Sequence, residues 1–195
     1  MFGKKSKKDD DKVEAEAPVV EAFSAKKAKP FFDRAKTVHE SGSYEYAMQC
    51  WLLGLAKDPT SMYGLNAFLK SSEIYSVENP KKGSKTTKSA ISDIKGDVGR
   101  YLSALLDFGL KRFDVGNAVK VTSAAAKINI TEAVNMLGEH TLKLVQNDPK
   151  AKKDSYVKLL DAFEAVGAFK LAAIAGESAC RIDQADADLQ ARVRN

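Results

Sequence analysis

Cysteine is scarce in this sequence: Cys50 and Cys180 are the only two in 195 residues. Their number and spacing support neither a disulfide framework nor a zinc site. Each sits in an apolar helical pattern, where a cysteine behaves as a small buried hydrophobe. Histidine is as sparse, and neither His39 nor His140 has a cysteine or second histidine at ligand spacing. No metal and no cofactor is therefore expected. A long apolar run is also missing. The most hydrophobic stretch, 159–179, carries Asp161, Glu164, Lys170 and Glu177, each costly in a bilayer core. The N-terminus lacks the apolar segment of a signal peptide, and Met1-Phe2-Gly3 puts glycine one position too late for myristoylation. A cytoplasmic location is the resulting expectation. Nor does one sign of charge dominate: 31 Lys and Arg oppose 26 Asp and Glu, a net charge of +5 that favours acidic partners only weakly.

Catalytic constellations are lacking too. Gly83-Ser84-Lys85-Thr86 is a fragment of a phosphate loop, but no glycine opens it, none directly precedes the lysine, and no strand leads into it. Glu132, Glu139 and Glu164 fall on helix surfaces without a paired acid, and no serine or cysteine is recognisably grouped with a base. The expectation is a protein without catalytic activity.

What is present is helical periodicity. From Lys29 to Asn195 apolar residues recur at three- and four-residue spacing, and no segment alternates as a strand would. The spacing predicts an all-α body with helices over 30–41, 44–57, 61–76, 98–112, 115–128, 131–146, 152–166 and 168–182, and a last one starting near 186. Ser41-Gly42-Ser43 breaks the first pair, while Asp58-Pro59 and Asn147-Asp148-Pro149 end helices because a residue before proline avoids the α region. Two segments stand apart. Residues 1–27 run from Lys4, Lys5, Lys7 and Lys8 through Asp9, Asp10 and Asp11 into a Glu/Ala/Pro/Val stretch without period, and read as a disordered charged tail ahead of a helical domain over 28–195. Within that domain 77–97 reads as a basic loop or a degraded helix, with Lys81, Lys82, Lys85 and Lys88 around a brief apolar period at Ala90, Ile91 and Ile94.

A longer period overlies the helical one. Over 28–61, Phe31, Ala35 and Val38 occupy a first helix, Gly42 makes a turn, and Tyr44, Ala47, Trp51 and Gly54 line a second before Asp58-Pro59. The string GSYEYAMQCWLLGLAKDP resembles the tetratricopeptide (TPR) repeat, a helix–turn–helix unit of about 34 residues. Ala35, Ala47 and Gly54 allow two helices to approach closely, and Phe31, Tyr44 and Trp51 fill the remaining groove. Near the C-terminus FEAVGAFKLAAIAGESACRID repeats the small-residue spacing through Gly167, Ala172, Gly176 and Ala179, with Gln184 in place of the family's proline. A third unit uses Leu102, Leu105, Leu106, Phe113, Ala118, Thr122 and Ala125. Ala47 and Ala118 stand roughly two periods plus a short insertion apart. Ala118 and Ala172 are not separated by whole periods, so 131–146 is an extra element or marks a shifted register. An ordinary helical bundle is the alternative that such stripes also permit.

The resemblance implies a tetratricopeptide-like α-solenoid of stacked antiparallel helix pairs. It further implies a scaffold whose first helices line a concave groove for a peptide or helix of a partner protein. On that expectation the groove exposes Lys29, Phe32, Lys36 and His39, then Tyr63, Asn66 and Lys70 from the next unit, a basic surface with aromatic anchors for an acidic, partly apolar protein segment. The family's carboxylate clamp is not expected, because Phe32 and Lys36 stand where it places lysine and asparagine. Two other partnerships remain open: nucleic acid or an anionic membrane surface on Lys4–Lys8 with Lys81–Lys88, marked by steep salt dependence, and self-association. The sequence stops as a helix begins at Asp188, which either is the polar cap a stack needs, or leaves an open face for another copy, or runs on into further natural chain.

Overall fold

A computed structural model describes residues 23–80 and 82–194. The described residues form helices and turns with no strand: α1 Ala25–Glu40, α2 Tyr44–Lys57, α3 Met62–Glu78, α4 Lys85–Ile91, α5 Gly96–Leu110, α6 Val115–Lys127, α7 Thr131–Asn147, α8 Lys153–Ala165, α9 Phe169–Ile182 and α10 Ala187–Arg194. Most of the tail expected over 1–27, including Lys4–Lys8, and Lys81 of the basic loop lie outside the described residues.

Local signals set the ends. Ser24, Ser61, Ser84 and Asp114 accept hydrogen bonds from the backbone N–H groups of Lys27, Gly64, Thr87 and Asn117, satisfying donors left free in each first turn. The Ser24 cap starts α1 five residues before the expected position 30, so Pro30 lies inside the helix rather than opening it. Gly42 turns the chain between α1 and α2 at φ +80°, a left-handed conformation that glycine takes without a Cβ clash. The 77–97 segment resolves into the end of α3, the seven-residue α4 and the start of α5. Of the phosphate-loop fragment, Ser84 is a structural residue. It caps α4, and its Oγ donates to Glu45 Oε1 at 2.8 Å, while Thr87 Oγ1 donates to Glu45 O at 3.3 Å.

The helices double back on their neighbours. Ser24 N–H donates to Lys57 O across the ends of α1 and α2 at 2.8 Å, and Lys153 at the start of α8 meets Asp183 just past α9 at 2.6 Å, so both pairs are antiparallel. Packing proceeds along the chain: α2 lies on α3, α4 and α5, α3 on α5 and α7, α6 on α7 and α8, and α9 on α10. This is a stack of helix pairs sharing one continuous apolar core from Ala28 to Leu189.

A recurring device closes the seams: a phenylalanine ring seated where a glycine has no side chain. Phe32 lies against Gly54 and Gly64, Phe68 against Gly109, and Phe163 against Gly138. A Cβ at Gly64 would fall 2.7 Å from the Phe32 ring and one at Gly109 2.9 Å from Phe68, separations that real carbon atoms do not reach. Between α6 and α7 the buried hydroxyls of Thr122 and Thr141 share a hydrogen bond at 3.0 Å in which one donates, leaving the other's proton for its own helix, Thr122 for Ala118 O or Thr141 for Leu137 O. The polar pair is thus satisfied inside the core.

Two expected repeat positions are corrected. Phe31 is half-buried and Phe32 fills the groove, because the earlier start of α1 and the two glycine hollows select the neighbouring ring. Phe113 is 81% exposed, since it lies in the turn between α5 and α6 rather than on either helix.

Candidate functional site

The residues expected to form a groove lie on α1 and α3. Tyr63, Asn66 and Lys70 follow one another at three- and four-residue spacing along α3 and all are exposed. Lys29 and Lys36 are exposed on α1, where Lys29 Nζ pairs with Asp33 Oδ2 at 2.6 Å. Lys36 and Lys70 pair with no acid among the described residues.

Phe32 departs from expectation. It is 8% exposed and belongs to the core, its ring received by Gly54 and Gly64. It is not presented to solvent, and its ring packs against Tyr63 instead. Phe32 stands 6.0 Å from Tyr63 in an edge-on arrangement and 5.7 Å from Trp51, which itself meets Tyr63 edge-on at 5.6 Å. Tyr63, 57% exposed, is therefore an aromatic ring braced from beneath by two others.

His39 is half-buried rather than presented to a ligand. Its Nδ1 lies 2.9 Å from Ser71 Oγ, which also accepts from Trp51 Nε1 at 3.1 Å and donates its own proton to Ala67 O at 3.0 Å. With the serine proton committed, Nδ1 is the protonated nitrogen and donates. A T-shaped contact with Tyr44 at 5.2 Å fixes the other side of the ring. His39 therefore ties α1 to α3.

The structure extends this surface beyond the sequence expectation. Asn66 and Lys70 open onto a hollow of about 220 Å³ closed by Arg112, after α5, and by His140 on α7. Arg112 pairs with Glu73 of α3 at 2.9 Å, and His140 stacks edge-on against Phe108 at 5.7 Å. The face thus runs α1–α3–α7. The α7 half has no signal in the sequence, because nothing in the spacing places 131–147 beside 62–78.

A second groove, of about 490 Å³, lies between α5, α6 and α8. Arg100, Lys120, Lys127 and Lys158 line it over a floor that includes Val119 and Ala124, and no carboxylate does. Its α6 residues fall at three- and four-residue spacing, a legible face, but only the fold sets α8 opposite. A third groove of about 410 Å³ takes Lys85 and Lys88 of α4 and Lys111 after α5, with Asp107.

Burial raises the Cys50 thiol, and the Tyr75, Tyr101 and Tyr156 hydroxyls, above their ordinary pKa values. The Glu45 carboxylate adds to the rise at Tyr75 and the Asp148 carboxylate to that at Tyr156, and no group of three His, Cys, Asp or Glu side chains converges on a metal position among the described residues. No described helix is long and apolar enough to cross a membrane.

No protein-family model and no curated protein matches the chain. Among solved structures it is similar to a thermophilic TPR protein of Thermus thermophilus, at 10% identity and a TM-score of 0.35 over 86% of this chain and 97% of that one. That score is too low to carry an argument. The all-helical architecture of stacked pairs rests on the geometry above.

Proposed function

We propose that this chain is a non-catalytic scaffold that holds a peptide or helix of a partner protein on the α1–α3–α7 face. The observation that carries the reading is Tyr63, a large ring left mostly in solvent while Phe32 and Trp51 fix it edge-on. An aromatic held rigid in the unbound protein loses little freedom on binding, and such residues concentrate the energy of protein interfaces. Lys29 and Lys36 flank it on α1, and Asn66 and Lys70 continue the surface on α3. Their charge suits a segment with acidic as well as apolar side chains.

The test selects peptides from a displayed library on the full chain and then measures their affinity for a Tyr63→Ala, Lys36→Glu double variant. A loss of at least about tenfold, 1.4 kcal/mol of binding free energy, is expected. Undiminished binding to the double variant would remove this face from the reading.

A second reading has its own observation. Lys85, Lys88 and Lys111 line one groove and, Asp107 aside, meet no acid there, an arrangement suited to an anionic surface. Binding there would weaken steeply with salt, because each phosphate neutralised releases counterions.

A further inference from the structure

We propose that the groove between α5, α6 and α8 is a second docking site, and that it takes an acidic segment of a partner protein with small apolar side chains between its carboxylates. The lining argues for this occupant by charge and by shape. Four cations, Arg100, Lys120, Lys127 and Lys158, come from three different helices and converge on one groove of about 490 Å³ without a lining carboxylate. Arg100 pairs outward with Asp97 at 2.7 Å, Lys120 with Asp107 at 3.1 Å and Lys158 with Asp154 at 2.6 Å. In each of these pairs both side chains are more than a third exposed, and ion pairs of that kind contribute little, so an incoming carboxylate exchanges for the resident one at small cost. Lys127 has no acid to exchange among the described residues and is the cation most available to a newcomer.

The floor gives the second, independent observation. Val119 and Ala124 offer an apolar strip of small side chains. Among them Ser123 Oγ is sealed from solvent and hydrogen-bonded to nothing among the described residues. A buried hydroxyl without a partner is uncommon and costly. Ser123 lines the groove, and a peptide carbonyl there is the acceptor its hydroxyl lacks. Nucleic acid fits less well, because no aromatic side chain lines the groove to stack on a base. The site shares no lining residue with the α1–α3–α7 face, so it stands or falls separately from the proposed function.

The experiment uses the full chain and fluorescence anisotropy of a labelled peptide of repeated Glu-Leu-Glu-Ala units. Lys127→Glu with Lys158→Glu is expected to weaken binding at least about tenfold. Ala124→Gln, which fills the floor without changing charge, is expected to weaken it comparably, and Tyr63→Ala with Lys36→Glu to weaken it less than either. Helical circular dichroism is recorded for each variant. Unchanged affinity after the double charge reversal overturns the proposal. So does loss on charge reversal without loss in Ala124→Gln, which places the peptide outside the groove. Displacement of the peptide by single-stranded oligothymidylate at lower concentration than by unlabelled peptide overturns it in favour of nucleic acid. Loss only in the Tyr63, Lys36 variant assigns the peptide to the first face, sinking this inference while supporting the earlier one.

Discussion

Ser71 Oγ has one proton and two lone pairs, and all three are used. The proton goes to Ala67 O, and the lone pairs accept from Trp51 Nε1 and His39 Nδ1. The residue is fully buried, so water cannot replace a lost partner for the indole. Ser71→Ala is therefore expected to lower stability by about 1–3 kcal/mol in urea unfolding, the cost of an orphaned buried donor. It should also loosen Trp51, and through it the bracing of Tyr63. Tryptophan fluorescence, with Trp51 as the single reporter, checks this by a shift in emission. Glu164 belongs to the same scale. The sequence assigns it to a solvent face without a partner, whereas both of its carboxylate oxygens accept from Arg192, which also bonds Asp161 at 2.6 Å. Arg192 lies 28 positions from Glu164 and 31 from Asp161, beyond any local pattern.

At the scale of elements, the glycine hollows decide which helices meet. Gly138 of α7 receives the Phe163 ring of α8, with Cζ 2.8 Å from where a Cβ would stand. Alanine in a helix interior is intrinsically better than glycine by about 1 kcal/mol. Here the added methyl would push a fully buried ring into a core that cannot yield, at a cost of about 1–3 kcal/mol. Gly138→Ala should thus be net destabilising, while Gly83→Ala, in open space ahead of α4, should change urea stability little. Much of this level was legible beforehand. Ala47 and Gly54 could be recognised as close-packing positions because their spacing on α2 is local. The choice of Phe32 over Phe31 could not, since it depends on Gly54 and Gly64, which belong to other helices. The candidate surfaces divide in the same way. Tyr63, Asn66 and Lys70 share a face by helical spacing alone, but joining them to His140, or Lys127 to Lys158, takes tertiary packing.

Over the whole molecule, each described helix touches mainly its neighbours in the chain, and α10 is held by α8 and α9. Leu189 buries there, Val193 packs on Gly176, and Arg192 holds α10 to α8. Lys153 bonds Asp183 at 2.6 Å and Asp186 at 2.9 Å, joining the start of α8 to the α9–α10 turn. The Lys153 hydrogen bond foremost, with the Ala185 N–H, holds the Asp183 carboxyl below its ordinary 3.8. The Leu189 N–H, then Lys153, does the same for Asp186. Hydrogen bonds to Asp183 and Asp186 push Lys153 up to about 12 from 10.5. The contribution of the two depressed carboxyls is present above pH 3.8 and lost as pH falls through their lowered values. That of Lys153 is present below pH 10.5 and lost as pH rises through about 12. Hydrogen exchange read by mass spectrometry should show 183–194 opening below pH 3.8 ahead of α6 and α7, and Lys153→Met should reduce that difference, leaving the part held by the Ala185 and Leu189 N–H groups.

An α10 that lets go in acid would leave the hollow at Gly176 of α9 without the Val193 side chain that fills it. Acid would then act as a release for one helix, which neutralisation would seat again.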